Sequence, residues 1–327
     1  MKVYLVKRSF FTFRGVESYK MELCGEDTLS RMSNALGAEI AEEEGLPAGE
    51  KVVLYPVYPF LTRAELTHLF TSYEGSFSFS GGYVERVGTP YSVRANFDFP
   101  LFTLQDFSAC EREAERRIAL SYAGRGVLIE EGAVVSASAV LGEGAIVRRG
   151  ARVLGGSIIG RNAEIGTGSE IVDSCVGEGS IVRASVLERA RVGANCTVGP
   201  NAYLRPDAQV GDGCRIGDFV ELKNCTVGRG TKISHLAYVG DADLGERVNV
   251  GCGVVFANYD GRHKHRSKVG NGCFLGSNCN LIAPVTLGDG VFLAAGTTLT
   301  KDLRDGDFCI GRCRETVKPQ LAKKYLT

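Results

Sequence analysis

The residues best suited to chemistry fall within one stretch, Tyr203 to Val269, which reads YLRPDAQVGDGCRIGDFVELKNCTVGRGTKISHLAYVGDADLGERVNVGCGVVFANYDGRHKHRSKV. It holds His235, whose imidazole titrates close to neutrality and can exchange a proton at working pH. It also holds several lysines and arginines, side chains of the types that hold anions. Lys264 belongs to a basic run, Arg262-His263-Lys264-His265-Arg266, within a twelve-residue interruption from Ala257 to Lys268. A proton carrier, spaced cations and one irregular loop are what a rigid frame presents at a site.

The frame is written in the spacing of aliphatic residues. From Ile129 they recur every six residues: Val135, Leu141, Val147, Val153, Ile159, Ile165 and Ile171. After short slips the rhythm continues through Val176, Val182, Leu187, Val192, Val198, Leu204, Val210, Ile216, Leu222, Val227, Ile233, Val239, Leu244, Val250 and Phe256. A last run takes Val269, Leu275, Leu281, Leu287, Leu293 and Leu299. A period of six suits three short strands per coil of a parallel β-helix, each strand sending one aliphatic side chain inward. Glycine often follows the inward residue, as at Gly142, Gly160, Gly193, Gly217, Gly251 and Gly288, and is expected to ease a tight corner there.

The totals narrow the function classes. The chain has 327 residues, with 38 Lys plus Arg against 38 Asp plus Glu. That balance argues against bulk attraction to nucleic acid or to a membrane. No apolar run approaches the ~18 residues of a membrane span, and Met1-Lys2-Val3-Tyr4 opens no signal peptide. A soluble, cytoplasmic protein is expected. Eleven cysteines occur without a CxxC pair. Reduced thiols are expected, and Cys196, Cys214, Cys225, Cys273 and Cys279, each two residues before an inward position, read as compact core fillers.

Residues 1 to about 122 read as a separate, mixed α/β domain. Leu29, Met32, Leu36 and Ile40 form a helical stripe within Glu26 to Glu44. Val52 to Tyr55 reads as a buried strand. Thr62 with Glu65 can cap a helix through Phe70, and Ser108 with Glu111 a connector helix to about Tyr122. The β-helix is expected over 123–302, and 303–327 is left as a tail.

The motifs LRP, VELKN, SHLAYVGDADLG, VNVGCG, ANYDG, FLGSNCNLIAPV and AAGTT, between Leu204 and Arg312, closely resemble the acetyltransferase domain of one bifunctional family. Its members are N-acetylglucosamine-1-phosphate uridylyltransferases and glucosamine-1-phosphate acetyltransferases. The resemblance implies a left-handed β-helix, a homotrimer with sites between subunits, and acetyl transfer from acetyl-CoA to the amine of glucosamine 1-phosphate, with no metal in that step. His235 would be the general base. Arg205, Lys223, Tyr238, Asn249 and Lys264 would bind the sugar phosphate. Cys252, Asn258, Tyr259, Ser277, Ala295 and Arg312 would line the reacting centre and the acetyl-CoA track. Cys252 stands where an alanine is common in the family.

The first domain departs from that family. It is about half as long as a uridylyltransferase domain and lacks the glycine-rich opening loop that brings N–H groups to phosphates. Leu54-Tyr55-Pro56-Val57-Tyr58-Pro59-Phe60-Leu61-Thr62 resembles the family's LYGDxPLLT segment. Val57 then replaces the metal-binding aspartate, and a valine cannot ligate Mg2+. A shortened, inactive uridylyltransferase relative is expected. Three further readings stay open: a different amino-sugar phosphate or sugar nucleotide as acceptor, a non-catalytic trimeric scaffold, and a zinc hydratase. The last would need three converging histidines, for which His235, His263 and His265 are the trio, in a poor spacing.

Overall fold

A computed structural model describes residues 2–9, 12–13, 16–23, 25–42, 44, 46–47, 51–72, 77–79, 81–85, 91–92, 97 and 100–325. The chain divides into two compact units, Met1–Val140 with Val153–Gly156, and Leu141–Arg152 with Ser157–Thr327. The first strands of the six-residue pattern thus group with the first unit.

The first unit is built on a six-stranded sheet. Its order is Tyr91–Ser92, Phe77–Phe79, Gly82–Glu85, Lys51–Leu54, Lys2–Val6 and Glu39–Ala41. Lys2–Val6 runs parallel to both its neighbours, and Gly82–Glu85 runs antiparallel to Lys51–Leu54. Leu29, Met32 and Leu36 are buried against this sheet from helix α1, Thr28–Leu36. Ile40, expected on the same stripe, lies instead in a strand and is exposed. The physical reason is Gly37, whose left-handed φ of 61° ends the helix. Thr62 and Glu65 cap helix α2, Arg63–Ser72, through reciprocal bonds of 2.8 and 3.2 Å. Helix α3, Leu104–Ala123, starts a turn earlier than expected. Its capping box is Thr103 with Asp106, not Ser108 with Glu111. Ser108 cannot cap because it already lies inside the helix. Val57 is fully buried in the core beside Leu54, Tyr58 and Leu61.

The second unit is the parallel β-helix that the period demands, with three walls. One wall stacks Ile146, Glu164, Ile181, Thr197, Arg215, Lys232, Asn249, Phe274, Phe292 and Phe308 in register. The second stacks Glu170, Val186, Tyr203, Glu221, Tyr238, Val255, Asn280 and Thr298. The third stacks Ile158, Cys175, Arg191, Gln209, Thr226, Asp243, Lys268 and Thr286. Every inward position from Val135 to Leu299 is buried.

The glycines after inward residues serve close approach rather than a special turn. A Cβ on Gly160 would lie 2.6 Å from the backbone nitrogen of Glu178, and one on Gly217 would lie 1.9 Å from the carbonyl of Ser234. Neither has a positive φ; the left-handed corner residues come two positions later, as at Asn162 and Phe219. The buried cysteines also do more than fill space. Cys196, Cys214 and Cys273 each donate Sγ–H to a carbonyl of the next coil at 3.1 Å, namely Gly211, Gly228 and Gly288. Ser180 and Thr231 do the same with hydroxyls, at 2.7 and 2.9 Å. A thiol therefore substitutes for a hydroxyl in one coil-to-coil ladder. No helix among the described residues is long and apolar enough to cross a membrane.

Phe256 is the largest of the fully buried side chains. Phe256→Ala is expected to destabilise by about 3–5 kcal/mol, read from the shift of the chemical denaturation midpoint. A loss below about 1 kcal/mol would contradict this packing.

Candidate functional site

The expected residues separate onto two corners of the prism and the walls beside them. The corner between the first and second walls carries a vertical row. Asp218 and His235 are register partners on successive coils. Gly253 N bonds Leu236 O at 2.8 Å, which sets Cys252 one coil beyond His235. Asn278 N to Cys252 O and Gly296 N to Ser277 O, both 2.8 Å, add Ser277 and Ala295. Arg312 completes the row by donating from Nη1 to Ala295 O at 2.8 Å. The order is Asp218, His235, Cys252, Ser277, Ala295, Arg312, and His235 to Arg312 are exposed. His235 Nδ1 lies 2.6 Å from Asp218 Oδ1. Hydrogen bonding to His235 is the main cause that holds the Asp218 carboxyl below its usual range. Asn249 sits on the wall leading to this corner, paired with Lys232 and Phe274.

The corner between the second and third walls is the charged one. Asp241 stands at its centre. It accepts from Asn224 Nδ2 at 2.6 Å, from Asn258 Nδ2, and from Lys223 Nζ at 3.4 Å. Burial pushes the Asp241 carboxyl up, but these donors outweigh it and the net shift is downward. Asn258 also reaches the Tyr238 hydroxyl at 3.4 Å. That hydroxyl lies over Gly240, where an added Cβ would come within 2.2 Å of it. Gly240 therefore makes the space in which the tyrosine rests. Arg205 forms an ion pair with Glu221 at 2.8 Å.

The loop brings one more cation to this corner. Lys264 is held below the usual lysine range, mainly by the neighbouring Lys223 ammonium, with Arg205 contributing. Arg205, Lys223 and Lys264 thus share one corner with the carboxylates of Glu221 and Asp241, and the cation left in excess there suits a bound anion. Two other basic residues of the loop serve its structure. Arg266 pairs with Asp243 and donates to Asn224 O at 3.0 Å. His265 lies 2.8 Å from Asp260. Tyr259 is exposed and donates its hydroxyl to Gly261 O at 2.8 Å. Among the described residues no cluster of three or more His, Cys, Asp or Glu is placed to hold a metal. His235, His263 and His265 form no such group; His235 is bonded to Asp218 and His265 to Asp260.

Sequence reasoning missed Asp218 and Asp241. Both act on residues 17 positions later, one coil on. The coil spacing was the signal that could have found them.

This architecture and its repeats define a hexapeptide-repeat β-helix. The family model "bacterial transferase hexapeptide (six repeats)" matches residues 189–224, and "hexapeptide repeat of succinyl-transferase" matches 267–301. Over the last third, the chain is similar to the bifunctional protein GlmU of several bacteria. It is 48% identical to that of Dinoroseobacter shibae over 110 residues, 34% of this chain and 24% of that one. For Geobacillus thermodenitrificans the figures are 52% over 101 residues, 31% and 22%. The chain thus spans about a quarter of the length of the curated relatives it matches. The resemblance drawn from the motifs is borne out over that stretch. Among solved structures, UDP-N-acetylglucosamine acyltransferase from Campylobacter jejuni aligns with a TM-score of 0.37 at 18% identity, covering 57% of this chain and 70% of that one.

Asp260 fastens the loop that delivers Lys264. Its carboxyl is held down to about 2 by the N–H of His263, then by His265 and the N–H of Arg262. A depressed carboxyl contributes fully above its ordinary value of 3.8 and loses that contribution as pH falls through about 2. The protection of the Arg262 and His263 amides, taken relative to their intrinsic exchange at each pH, should therefore hold down to about pH 4 and fall toward pH 2. Asp260→Ala should show little protection at these two amides throughout. Equal protection in both proteins would contradict the assignment.

Proposed function

We propose that the chain transfers an acetyl group from acetyl-CoA to the amine of glucosamine 1-phosphate. The observation that carries this reading is the meeting of Arg205, Lys223 and Lys264 at one corner, one wall away from the His235 row. That wall, with Tyr238 on it, has the makings of a sugar platform between an anion holder and a base.

The phosphate takes the charged corner. Arg205 offers a two-pronged donor, and Lys223 and Lys264 add point charges. Tyr238 and Asn249 flank His235 on its two sides and contact the sugar. The acetyl donor lies along the corner row. Ser277 and the small Ala295 let the thin pantetheine arm lie close, and Arg312 pairs with a coenzyme phosphate. Asn258 and Tyr259 close the reacting centre from the loop side. His235 accepts a proton as the amine nitrogen attacks the thioester carbonyl. The new N–C bond forms, the C–S bond breaks, and the proton passes on to the departing thiolate. The functional unit is a cytoplasmic homotrimer in which a neighbouring chain walls the cleft.

The first unit does not perform nucleotidyl transfer in this reading. Val57 packs in its core at the place where a metal-binding carboxylate would be needed.

Thiol release from acetyl-CoA in the presence of glucosamine 1-phosphate tests the activity. His235→Ala is expected to lower kcat by about 10²–10⁴-fold. Arg205→Ala and Lys223→Ala are expected to raise KM for the sugar phosphate much more than KM for acetyl-CoA. An inert wild-type protein would refute the acceptor, and a fully active His235→Ala variant would refute the base.

A further inference from the structure

We propose that Asp218 is the positioning residue for His235: its carboxylate fixes the ring as the Nδ1–H tautomer and leaves Nε2 as the basic nitrogen. The part of this that concerns the amine rests on the acetyltransfer reading above. The contact itself does not.

The geometry is specific. An ionised carboxylate only accepts hydrogen bonds, so at 2.6 Å from Asp218 Oδ1 the nitrogen Nδ1 must be the donor. The other nitrogen of the neutral ring is then the acceptor. Three features of the coil hold the pair together. Asp218 and His235 are register partners on adjacent coils. Gly217 lacks the Cβ that would meet Ser234 O at 1.9 Å, so the two strands can approach just before the pair. Each polar residue is followed by a bulky one in the left-handed region, Phe219 at φ 55° and Leu236 at φ 39°. Most other such corners carry Asn, Asp or Gly, which accept this conformation far more readily. Phe219 and Leu236 are also exposed. A chain that puts large apolar residues in this conformation, twice in succession and beside one Asp–His pair, has a corner shaped for more than folding.

Among the described residues Asp218 is the carboxylate bonded to the ring. Glu221, three residues on, is taken by Arg205 at 2.8 Å. The titratable groups that the register sets around the pair are Arg215 and Lys232 on the same two strands and Cys252 on the next coil. The preceding coil presents Gly199 and Pro200, which carry no charge. Arg215 adds to the depression of the Asp218 carboxyl, so the carboxylate is charged throughout the working range.

In the reaction, Nε2 takes the proton of the attacking amine. The resulting imidazolium keeps its Nδ1–H on Asp218, where the negative charge faces the new positive one. The same proton then leaves Nε2 for the thiolate, and Asp218 neither gains nor loses one. Asp218 touches no reacting atom and acts through the ring.

Two measurements test this. The first is nitrogen-15 NMR of the His235 ring in the wild-type protein without substrate, at about pH 8–9, where an ordinary imidazole is neutral. The Nδ1–H tautomer is expected, and a ring protonated on Nε2 would overturn the proposal. The second is kinetic. Asp218→Ala is expected to lower kcat by about 10–10⁴-fold, the upper end being the loss seen when the carboxylate that sets a catalytic imidazole's tautomer is removed. KM for both substrates should stay within about twofold. Asp218→Glu should recover part of kcat. Wild-type kcat in Asp218→Ala would overturn the proposal. The ring spectrum needs no acceptor, so an enzyme inert toward glucosamine 1-phosphate would refute the function while the spectrum still decides the role of Asp218.

Discussion

Coil-to-coil registry is the constraint on which the second unit depends. Parallel backbone bonds lock each strand to the strand one coil on, and inward aliphatic side chains stack beneath them. Each buried Val, Leu or Ile adds on the order of 1.5–3 kcal/mol, so the core grows linearly along the prism without needing helices. The same registry turns sequence spacing into spatial rows. A residue and its successor one coil on are neighbours whatever lies between them. Chemistry can therefore be assembled by placing one suitable side chain per coil at the same phase.

That is how both corners arise. Asp218, His235, Cys252, Ser277, Ala295 and Arg312 are spread over almost a hundred residues yet form one line. The charged corner adds an interruption of the rhythm, and the loop that leaves there returns Lys264 to Lys223. Asp241 is the counterweight. By satisfying Asn224, Asn258 and Lys223 together it fixes three side chains with one buried carboxylate. Rigid coils hold His235, its corner row and the cations of the charged corner, and the loop from 257 to 268 is pinned by Asp260 and Arg266.

Much of this was legible in the sequence, and the boundary of legibility is physical. The inward positions were readable because burial is imposed residue by residue at a fixed period. The stripe of α1 and the Thr62 cap were readable because both are local. The motif residues could be named but not placed, since only the register shows that Ser277 and Ala295 share a line with His235. Asp218 and Asp241 were missed because their partners lie a coil away: a lone aspartate has no local signature, and only the 17-residue coil spacing links it to its partner. The glycine after each inward residue was assigned to the wrong cause, because a positive φ and a missing Cβ look alike in a sequence. Ile40 and the start of α3 failed for a simpler reason: Gly37 and Thr103 exert local control that the apolar pattern alone does not report.

The central claim is that one line of corner residues is the track of the acetyl donor and that it ends at His235. A crystal structure of the protein with coenzyme A bound tests this most directly. The account predicts the pantetheine arm running along Arg312, Ala295 and Ser277, with its sulfur at the His235 end. Coenzyme A lying on another corner, or with its sulfur pointing away from His235, would contradict it.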